Sequence, residues 1–152
     1  MKFRIGPNGV HLFDRFSGMN VLLDELRPKE AAWSTSPRQV SIALTNICDL
    51  HCGYCYAPKQ KASLHTDQVL GWLKELDTEG CLGIGFGGGE PTLHPDFVAI
   101  CKRVAGETQI AVTFTTHGHR LTPQLVERLK GSIHFARKSV DGVGRTYEEQ
   151  RG

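Results

Sequence analysis

The chain has 152 residues, of which 39% are hydrophobic and 22% are charged. This composition predicts one soluble globular domain and excludes a disordered, collagen-like or repeat protein. Eighteen basic and sixteen acidic residues give a formal charge of +2 without a basic stripe, so a nucleic-acid partner is not implied. No apolar run approaches the roughly 20 residues that span a bilayer, and the first ten residues lack the apolar core of a signal peptide. We therefore expect a cytoplasmic protein that does not contact a membrane.

The N-terminal part of the chain predicts a short β-hairpin followed by a linker. Two apolar-rich runs, residues 10–13 and 19–23, flank a turn in which Gly18 supplies the permissive position. Residues 27–38 are polar and contain two prolines, as is typical of a connecting segment. The predicted division is an N-terminal hairpin and linker, residues 1–38, and a core domain, residues 39–152.

From residue 39 onward, strand and helix patterns alternate. The strands are short apolar runs, and the helices carry apolar residues three and four positions apart. Thr122 and Pro123 mark one helix start, because threonine caps helices and proline suits the first helical position. The predicted strands cover residues 40–44, 81–86, 109–115 and 133–140, and the helices centre on residues 69–76, 97–104 and 123–129, with Gly80, Gly106 and Gly131 beyond their ends.

This alternation predicts an α/β fold with right-handed crossovers and a parallel sheet. The functional loops then lie at the carboxyl ends of the strands. These loops cover residues 45–58, 87–95, 116–121 and 141–144. We expect His117 and His119, in the third loop, to be solvated histidines, since a metal site there would lack a third ligand.

Three of the five cysteines, Cys48, Cys52 and Cys55, lie within eight residues directly after the first core strand. Such crowding is typical of metal or redox chemistry and not of a disulfide framework. A cluster of four irons needs four ligands, so three thiolates leave one iron open to a small molecule that carries an amine and a carboxylate. The alternative is a zinc site completed by a histidine such as His51 or His65. Cys101 is predicted to be a buried small hydrophobe.

The second core strand ends in Gly87-Gly88-Gly89-Glu90-Pro91. Glycines there would let a ligand approach the backbone, and Glu90 would offer a carboxylate to a cationic group. A dinucleotide-binding loop is disfavoured, because the glycines of Gly83-x-Gly85-x-Gly87 lie within the strand and Pro91 delays the next helix. This loop is predicted to face the cysteine loop across adjacent strands.

The pairing of Cys48-Asp49-Leu50-His51-Cys52-Gly53-Tyr54-Cys55 with Gly88-Gly89-Glu90-Pro91 resembles the radical S-adenosylmethionine superfamily. The resemblance runs from about residue 40 to residue 152. It implies a partial (β/α) barrel of about four parallel β/α units, preceded by the hairpin. Residues 115–118 stand where many relatives have a threonine-asparagine-glycine turn, and residues 137–142 resemble the fourth-strand segment that contacts the cofactor.

The resemblance also implies the ligands and the residues that bind them. Cys48, Cys52 and Cys55 would bind a 4Fe-4S cluster, whose open iron binds S-adenosylmethionine. Tyr54 would lie near the adenine, and Gly88, Gly89 and Glu90 would form the loop that receives the methionine amino group. Ser139 and Asp141 would contact the ribose or the carboxylate; a strand end and an ordinary Asp-Gly turn are the alternative for these two.

The activity implied is reductive cleavage of S-adenosylmethionine to a 5'-deoxyadenosyl radical that abstracts a hydrogen atom from a substrate, with a protein as the electron donor. The hairpin and residues 55–59 resemble the peptide- or protein-modifying branch, which makes a peptide the expected substrate. The alternatives are a catalytically incomplete iron-sulfur subunit or fragment and a zinc-binding interaction domain. Relatives usually have six β/α units, so we expect self-association or a partner chain that completes the barrel.

Overall fold

A computed structural model describes residues 1–58 and 60–151. Lys59, within the 55–59 run, and Gly152 lie outside the described residues. The described chain contains a three-stranded antiparallel sheet and a four-stranded parallel sheet. None of its helices is long and apolar enough to cross a bilayer.

The N-terminal sheet has three strands where the sequence predicted a two-stranded hairpin. Its strands are β1, Lys2–Gly6, β2, Gly9–Phe13, and β3, Asn20–Leu23, in the order β1-β2-β3. The sequence prediction omitted β1, because the inward-facing residues of this strand, Lys2 and Arg4, are charged and do not form an apolar run. The segment after β3 contains only a short 3-10 turn, Glu30–Ala32.

The core confirms the predicted parallel α/β architecture. Its strands lie in the order β4-β5-β6-β7, and every neighbouring pair is parallel. The elements in chain order are β4, Gln39–Thr45; α1, Thr66–Thr78; β5, Gly83–Gly88; α2, Phe97–Glu107; β6, Ala111–Thr116; α3, Pro123–Leu129; β7, Phe135–Lys138; and α4, Arg145–Arg151.

Several predicted boundaries were wrong. Gly106 lies inside α2, where the Arg103–Glu107 ion pair, 2.8 Å from Nε to Oε1, joins positions i and i+4 across the last turn. β7 ends at Lys138 and not at residue 140, because its partner β6 ends at Thr116 and offers no further pairing. The second core strand begins at residue 83 and not at residue 81. The sequence also did not predict α4.

The apolar core lies between one face of the parallel sheet and helices α1, α2 and α3. Phe97 of α2 meets Phe114 of β6 edge to face, with ring centroids 5.3 Å apart. Cys81 and Cys101 are fully buried in this core, as predicted for Cys101. The opposite face of the sheet carries small residues around Gly85, where a Cβ would meet the hydroxyls of Thr113 and Ser41 at 3.5 and 3.6 Å. The small side chains leave room for a cavity.

The N-terminal sheet turns its charged face to the core. Lys2 forms an ion pair with Asp77, and Arg4 Nη1 donates to Gly80 O at 3.1 Å. Strand alternation then places Phe3, Val21 and Leu23 on the outer face, where they are exposed. The sheet therefore attaches through polar contacts and leaves an apolar face outside.

Candidate cofactor site

The four loops at the carboxyl ends of β4 to β7 surround one cavity of about 800 Å³. All nine residues for which the sequence predicted a cluster or cofactor contact line this cavity. They are Cys48, Cys52, Tyr54, Cys55, Gly88, Gly89, Glu90, Ser139 and Asp141. The parallel sheet thus brings together side chains up to 93 positions apart in the sequence (141 − 48).

The cysteine loop starts from an anchored strand end. β4 carries a bulge there, because Ala43 pairs with Gly87 while Thr45 pairs with Gly88. The buried Thr45 hydroxyl accepts from Ile47 N at 3.1 Å and donates to Ala62 O at 2.9 Å. The backbone entering the loop is therefore held on both sides.

The three thiols lie at the surface of the cavity. Cys48 is exposed, and Cys52 and Cys55 are half-buried. Burial raises the pKa of Cys48 above its ordinary value, and the negative charges of Asp49 and Glu90 raise it further. The thiolate of Cys48 is thus unfavourable without a nearby cation, and a bound metal would supply that charge.

The spacing of the donor atoms does not suit the predicted zinc alternative. A zinc ion with Zn–S bonds of about 2.3 Å brings tetrahedral ligand atoms within about 4 Å of one another. Among the described residues, the group whose ligand atoms all lie within 4.8 Å is Cys48, Asp49 and His117, which leaves out Cys52 and Cys55 as well as His51 and His65. The three thiols line one cavity, but at least one pair of their sulfur atoms lies more than 4.8 Å apart, beyond the span of ligands on one zinc ion.

The glycine loop packs directly on the cysteine loop. Gly89 N donates to Thr45 O at 2.7 Å, and Glu90 N donates to Ile47 O at 2.8 Å. A Cβ at Gly88, where φ is +121°, would lie 2.2 Å from Thr45 O, and one at Gly89 would lie 2.3 Å from Ile47 O. The glycines are therefore required for the contact between two protein backbones, whereas the sequence interpretation had attributed them to a ligand.

Glu90 lines the cavity, and its carboxylate is almost fully enclosed by hydrogen-bond donors of the protein. Its residue is 1% exposed. Oε1 accepts from Thr92 Oγ1 at 2.6 Å and from Thr92 N at 3.2 Å, and Oε2 accepts from His117 N at 3.1 Å. Thr116 Oγ1 lies 2.9 Å from both oxygens. These donors occupy the carboxylate in this structure, and its role as the acceptor for a cationic group stays a prediction.

His117 was predicted to be solvated, and the structure contradicts this. Its side chain is 4% exposed, and Nε2 lies 2.8 Å from Asp49 Oδ1 and 3.3 Å from Glu90 Oε2. His119 is exposed, as expected. The two histidines, two residues apart, therefore differ: the side chain of His117 points inward and that of His119 points outward. The partners of His117 come from two loops that are distant in sequence, so the local sequence does not reveal them.

A third group of side chains lies on the far side of the cavity. Tyr54 Oη donates to Asp141 Oδ2 at 2.5 Å, and this bond raises the pKa of Tyr54 to about 12. Arg151 forms an ion pair with the same carboxylate, and its guanidinium carbon lies 5.8 Å from the centre of the Tyr54 ring. Ser139 N donates to Thr116 O at 2.9 Å.

Sequence reasoning missed Arg151 because no apolar periodicity marks the short α4. Its Nη1 lies 3.9 Å from Cys52 Sγ. Its Nε is buried and lacks a hydrogen-bond partner among the described residues. Arg151 lines the cavity and places its positive charge beside the thiol of Cys52 and the carboxylate of Asp141.

A four-stranded parallel sheet with a three-cysteine loop and a glycine-rich loop at the carboxyl ends of its strands is the arrangement of a partial (β/α) barrel. The family model described as Radical SAM superfamily matches residues 42–147. The match covers more than half of the chain, and the chain therefore belongs to the radical SAM superfamily.

Similar proteins include several enzymes. The AdoMet-dependent heme synthase of Methanosarcina barkeri is 29% identical over 127 residues, which cover 80% of this chain and 36% of that protein. The mycofactocin maturase MftC of Mycobacterium tuberculosis is 32% identical over 104 residues, covering 66% of this chain and 26% of that protein. The chain thus spans about a third or less of these relatives.

A solved structure with the same fold is Streptococcus suis SuiB bound to the precursor peptide SuiA. It superposes with a TM-score of 0.78 at 17% identity, covering 99% of this chain and 49% of that one. SuiB bound to S-adenosylmethionine gives a TM-score of 0.77 at 18% identity. Since the superposition includes nearly the whole chain, both sheets lie within the shared architecture.

Proposed function

We propose that this chain binds a 4Fe-4S cluster through Cys48, Cys52 and Cys55 and binds S-adenosylmethionine at the open iron. The observation that carries the proposal is the single cavity that all three thiols share with the glycine loop. When bound, the cluster supplies an electron and S-adenosylmethionine supplies the 5'-deoxyadenosyl radical that abstracts a hydrogen atom. The chain's residues hold and orient these groups.

The amino end of the cofactor would meet the glycine loop. Because Glu90 is occupied by internal donors, the loop's backbone carbonyls would receive the amino group, and Glu90 would hold them in place while adding a favourable negative charge. Asp141 and Ser139 would lie toward the ribose. The guanidinium of Arg151, which lines the cavity, would donate to the cofactor's carboxylate.

The adenine would lie against Tyr54. The ring of Tyr54 is half-exposed at the cavity, and the hydroxyl of Tyr54 donates a hydrogen bond to Asp141. An aromatic ring held by its polar end offers its face for stacking. The hydrogen bond also keeps the phenol un-ionised, since the pKa of Tyr54 is raised to about 12.

The substrate we propose is a peptide, and the electron donor a reductant protein. SuiB, whose fold this chain shares, is described with its precursor peptide bound. In this chain β3 is an edge strand of the N-terminal sheet and is exposed at all four residues. An exposed edge strand presents unpaired backbone groups to which an extended peptide can add.

Anaerobic reconstitution tests the cluster. Wild-type protein should bind iron and sulfide together, and replacing Cys48, Cys52 or Cys55 with Ala should abolish the cluster. Cys81→Ala and Cys101→Ala are the matched controls, because both thiols lie in the apolar core and should leave the iron content unchanged. Stoichiometric zinc without sulfide would contradict the proposal.

The cofactor and its cleavage are tested on the same preparation. Adding S-adenosylmethionine to the reduced cluster should change its electron paramagnetic resonance spectrum, and incubation with a strong reductant should release 5'-deoxyadenosine. A spectrum that does not respond to the cofactor would refute binding at the open iron. A response without 5'-deoxyadenosine would instead favour a cofactor-binding subunit that does not turn over.

A further inference from the structure

We infer that His117 is a positioning residue that fixes the cysteine loop against the glycine loop by donating a hydrogen bond from Nε2 to Asp49. The contacts of His117 with Asp49, Glu90 and His119 support the bond itself. Its consequence for cofactor binding rests on the proposed function.

His117 joins three loops that follow different strands. Its side chain, after β6, reaches Asp49 Oδ1 in the cysteine loop at 2.8 Å. The same Nε2 lies 3.3 Å from Glu90 Oε2 after β5, and the backbone N of His117 donates to that oxygen at 3.1 Å. Because the imidazole is almost fully buried, these bonds form without competition from water.

The hydrogen bonding of the ring assigns its tautomer. His119 N donates to His117 Nδ1 at 3.1 Å, so Nδ1 is an acceptor and Nε2 carries the proton. That proton points toward Asp49. A metal ion on Cys48, Asp49 and His117 would take the Nε2 lone pair and force a proton onto Nδ1, facing the N–H of His119. The ring is therefore oriented for a hydrogen bond and not for metal binding.

The bond acts on the first cluster-binding cysteine through the backbone. Asp49 directly follows Cys48, so fixing the Asp49 carboxylate limits the movement of the peptide that carries the thiol. Asp49 also forms an ion pair with Arg120, whose Nη1 lies 3.6 Å from Asp49 Oδ2. Both side chains are half-exposed, so solvent weakens this ion pair. Since Glu90 N is also bonded to Ile47 O, the glycine loop and the cysteine loop keep a fixed separation.

Two substitutions separate positioning from general packing. In His117→Gln the amide nitrogen replaces Nε2 at nearly the same reach, so the donor to Asp49 is kept. In His117→Asn the amide stands near the former Nδ1 and cannot reach Asp49. Asp49→Ala removes the acceptor at a surface position and tests the same bond without changing the buried ring. His119→Gln is the control, because the variant retains the backbone N–H of residue 119 that donates to His117 Nδ1.

The first measurement uses the cluster-free chain. The nitrogen chemical shifts of His117 should show a protonated Nε2 and an unprotonated Nδ1, and Asp49→Ala should change the Nε2 signal. The opposite tautomer, or an Nε2 signal insensitive to Asp49, would overturn the proposed bond. This result is independent of iron binding, so it is not affected if the proposed function fails.

The second measurement uses reconstituted protein. His117→Asn and Asp49→Ala should each weaken S-adenosylmethionine binding, which is measured by electron paramagnetic resonance. We expect a loss of affinity on the order of 5-fold or more, which is the lower end of the range for coupling between two sites. The double variant should lose no more than either one, and His117→Gln should recover wild-type binding. Equal effects of Gln and Asn, or additive losses, would show that His117 serves only as packing. A wild-type protein without iron and sulfide would refute the proposed function and leave the tautomer result standing.

Discussion

The carboxylate of Glu90 meets the hydroxyl of Thr116 with both of its oxygens, each 2.9 Å from Oγ1. Glu90 follows β5 and Thr116 ends β6, so one buried contact joins the carboxyl ends of neighbouring strands. Both residues are at most 2% exposed. The glycine loop is thereby attached to the third strand of the core as well as to the cysteine loop.

Glu90→Gln is expected to weaken both the fold and cofactor binding. The amide would turn a donor toward Thr116, Thr92 or the backbone N–H of His117, where the carboxylate now only accepts. Loss of such buried charge-assisted bonds costs about 1.5 to 3 kcal/mol. Denaturant unfolding and titration with S-adenosylmethionine would measure both effects. Glu127→Gln, at an exposed site, is the control. Wild-type unfolding and affinity in Glu90→Gln would show that the network is dispensable.

Gly89→Ala is expected to displace the cysteine loop, because its Cβ would lie 2.3 Å from Ile47 O. Forcing extra volume into a packed contact costs typically about 1 to 3 kcal/mol. Gly87→Ala is the matched control, since its Cβ would meet nothing within 4 Å. The unfolding free energy and the iron content of Gly89→Ala should both be lower than those of Gly87→Ala. Equal stability of the two variants would contradict the close packing of the loops.

The stability of the chain should decline in acid partly through Glu107. Hydrogen bonds from Arg103, at 2.8 Å, and Lys74, at 2.6 Å, lower the pKa of Glu107 from 4.5 to about 2. A carboxyl whose pKa is lower in the folded state stabilises the fold above pH 4.5, and this contribution is lost as the pH falls toward 2. Glu107→Gln should therefore show a flatter decline in stability over that range. Parallel pH profiles of the variant and the wild type would contradict the assignment.

The outer face of the N-terminal sheet should tolerate polar residues. Val21→Thr with Leu23→Lys is expected to change the unfolding free energy by only about 0.5 kcal/mol, as at ordinary surface sites, and to reduce light scattering at high concentration. Arg4→Met is the contrasting variant, because it removes the bond to Gly80 O on the inner face and should destabilise the chain by about 1 to 3 kcal/mol. A marked loss of stability in the Val21 and Leu23 variant would mean that the outer face packs against protein in solution.

The parallel core was predictable because its signals are local. Strands β4 to β6 carry short apolar runs, and Thr122 with Pro123 begins α3 as expected, with Thr122 Oγ1 accepting from Leu125 N. Motif spacing placed the three cysteines and the glycine loop at the same edge of the sheet. Both predictions depend on residues close together in sequence.

Features determined by distant partners were not predictable. His117 is buried because Asp49, 68 positions earlier, accepts a hydrogen bond from its Nε2–H. β1 forms because Lys2 and Arg4 find partners in and after α1, and its own charged residues resemble a surface loop. The short α4 has no buried residue to give it periodicity. In each case the deciding contact lies outside the local sequence.

The bulge at the end of β4 limits how this site can be transferred to another protein. It inserts one residue between the pairs that end at Ala43 and Thr45, and so changes which face the following side chains occupy. The loop then leaves the strand already bonded to Gly89 and Glu90. A graft that began at Cys48 would keep all three thiols and lose the backbone that orients them. A transplantable unit has to begin before the bulge and include the glycine loop of the adjacent strand.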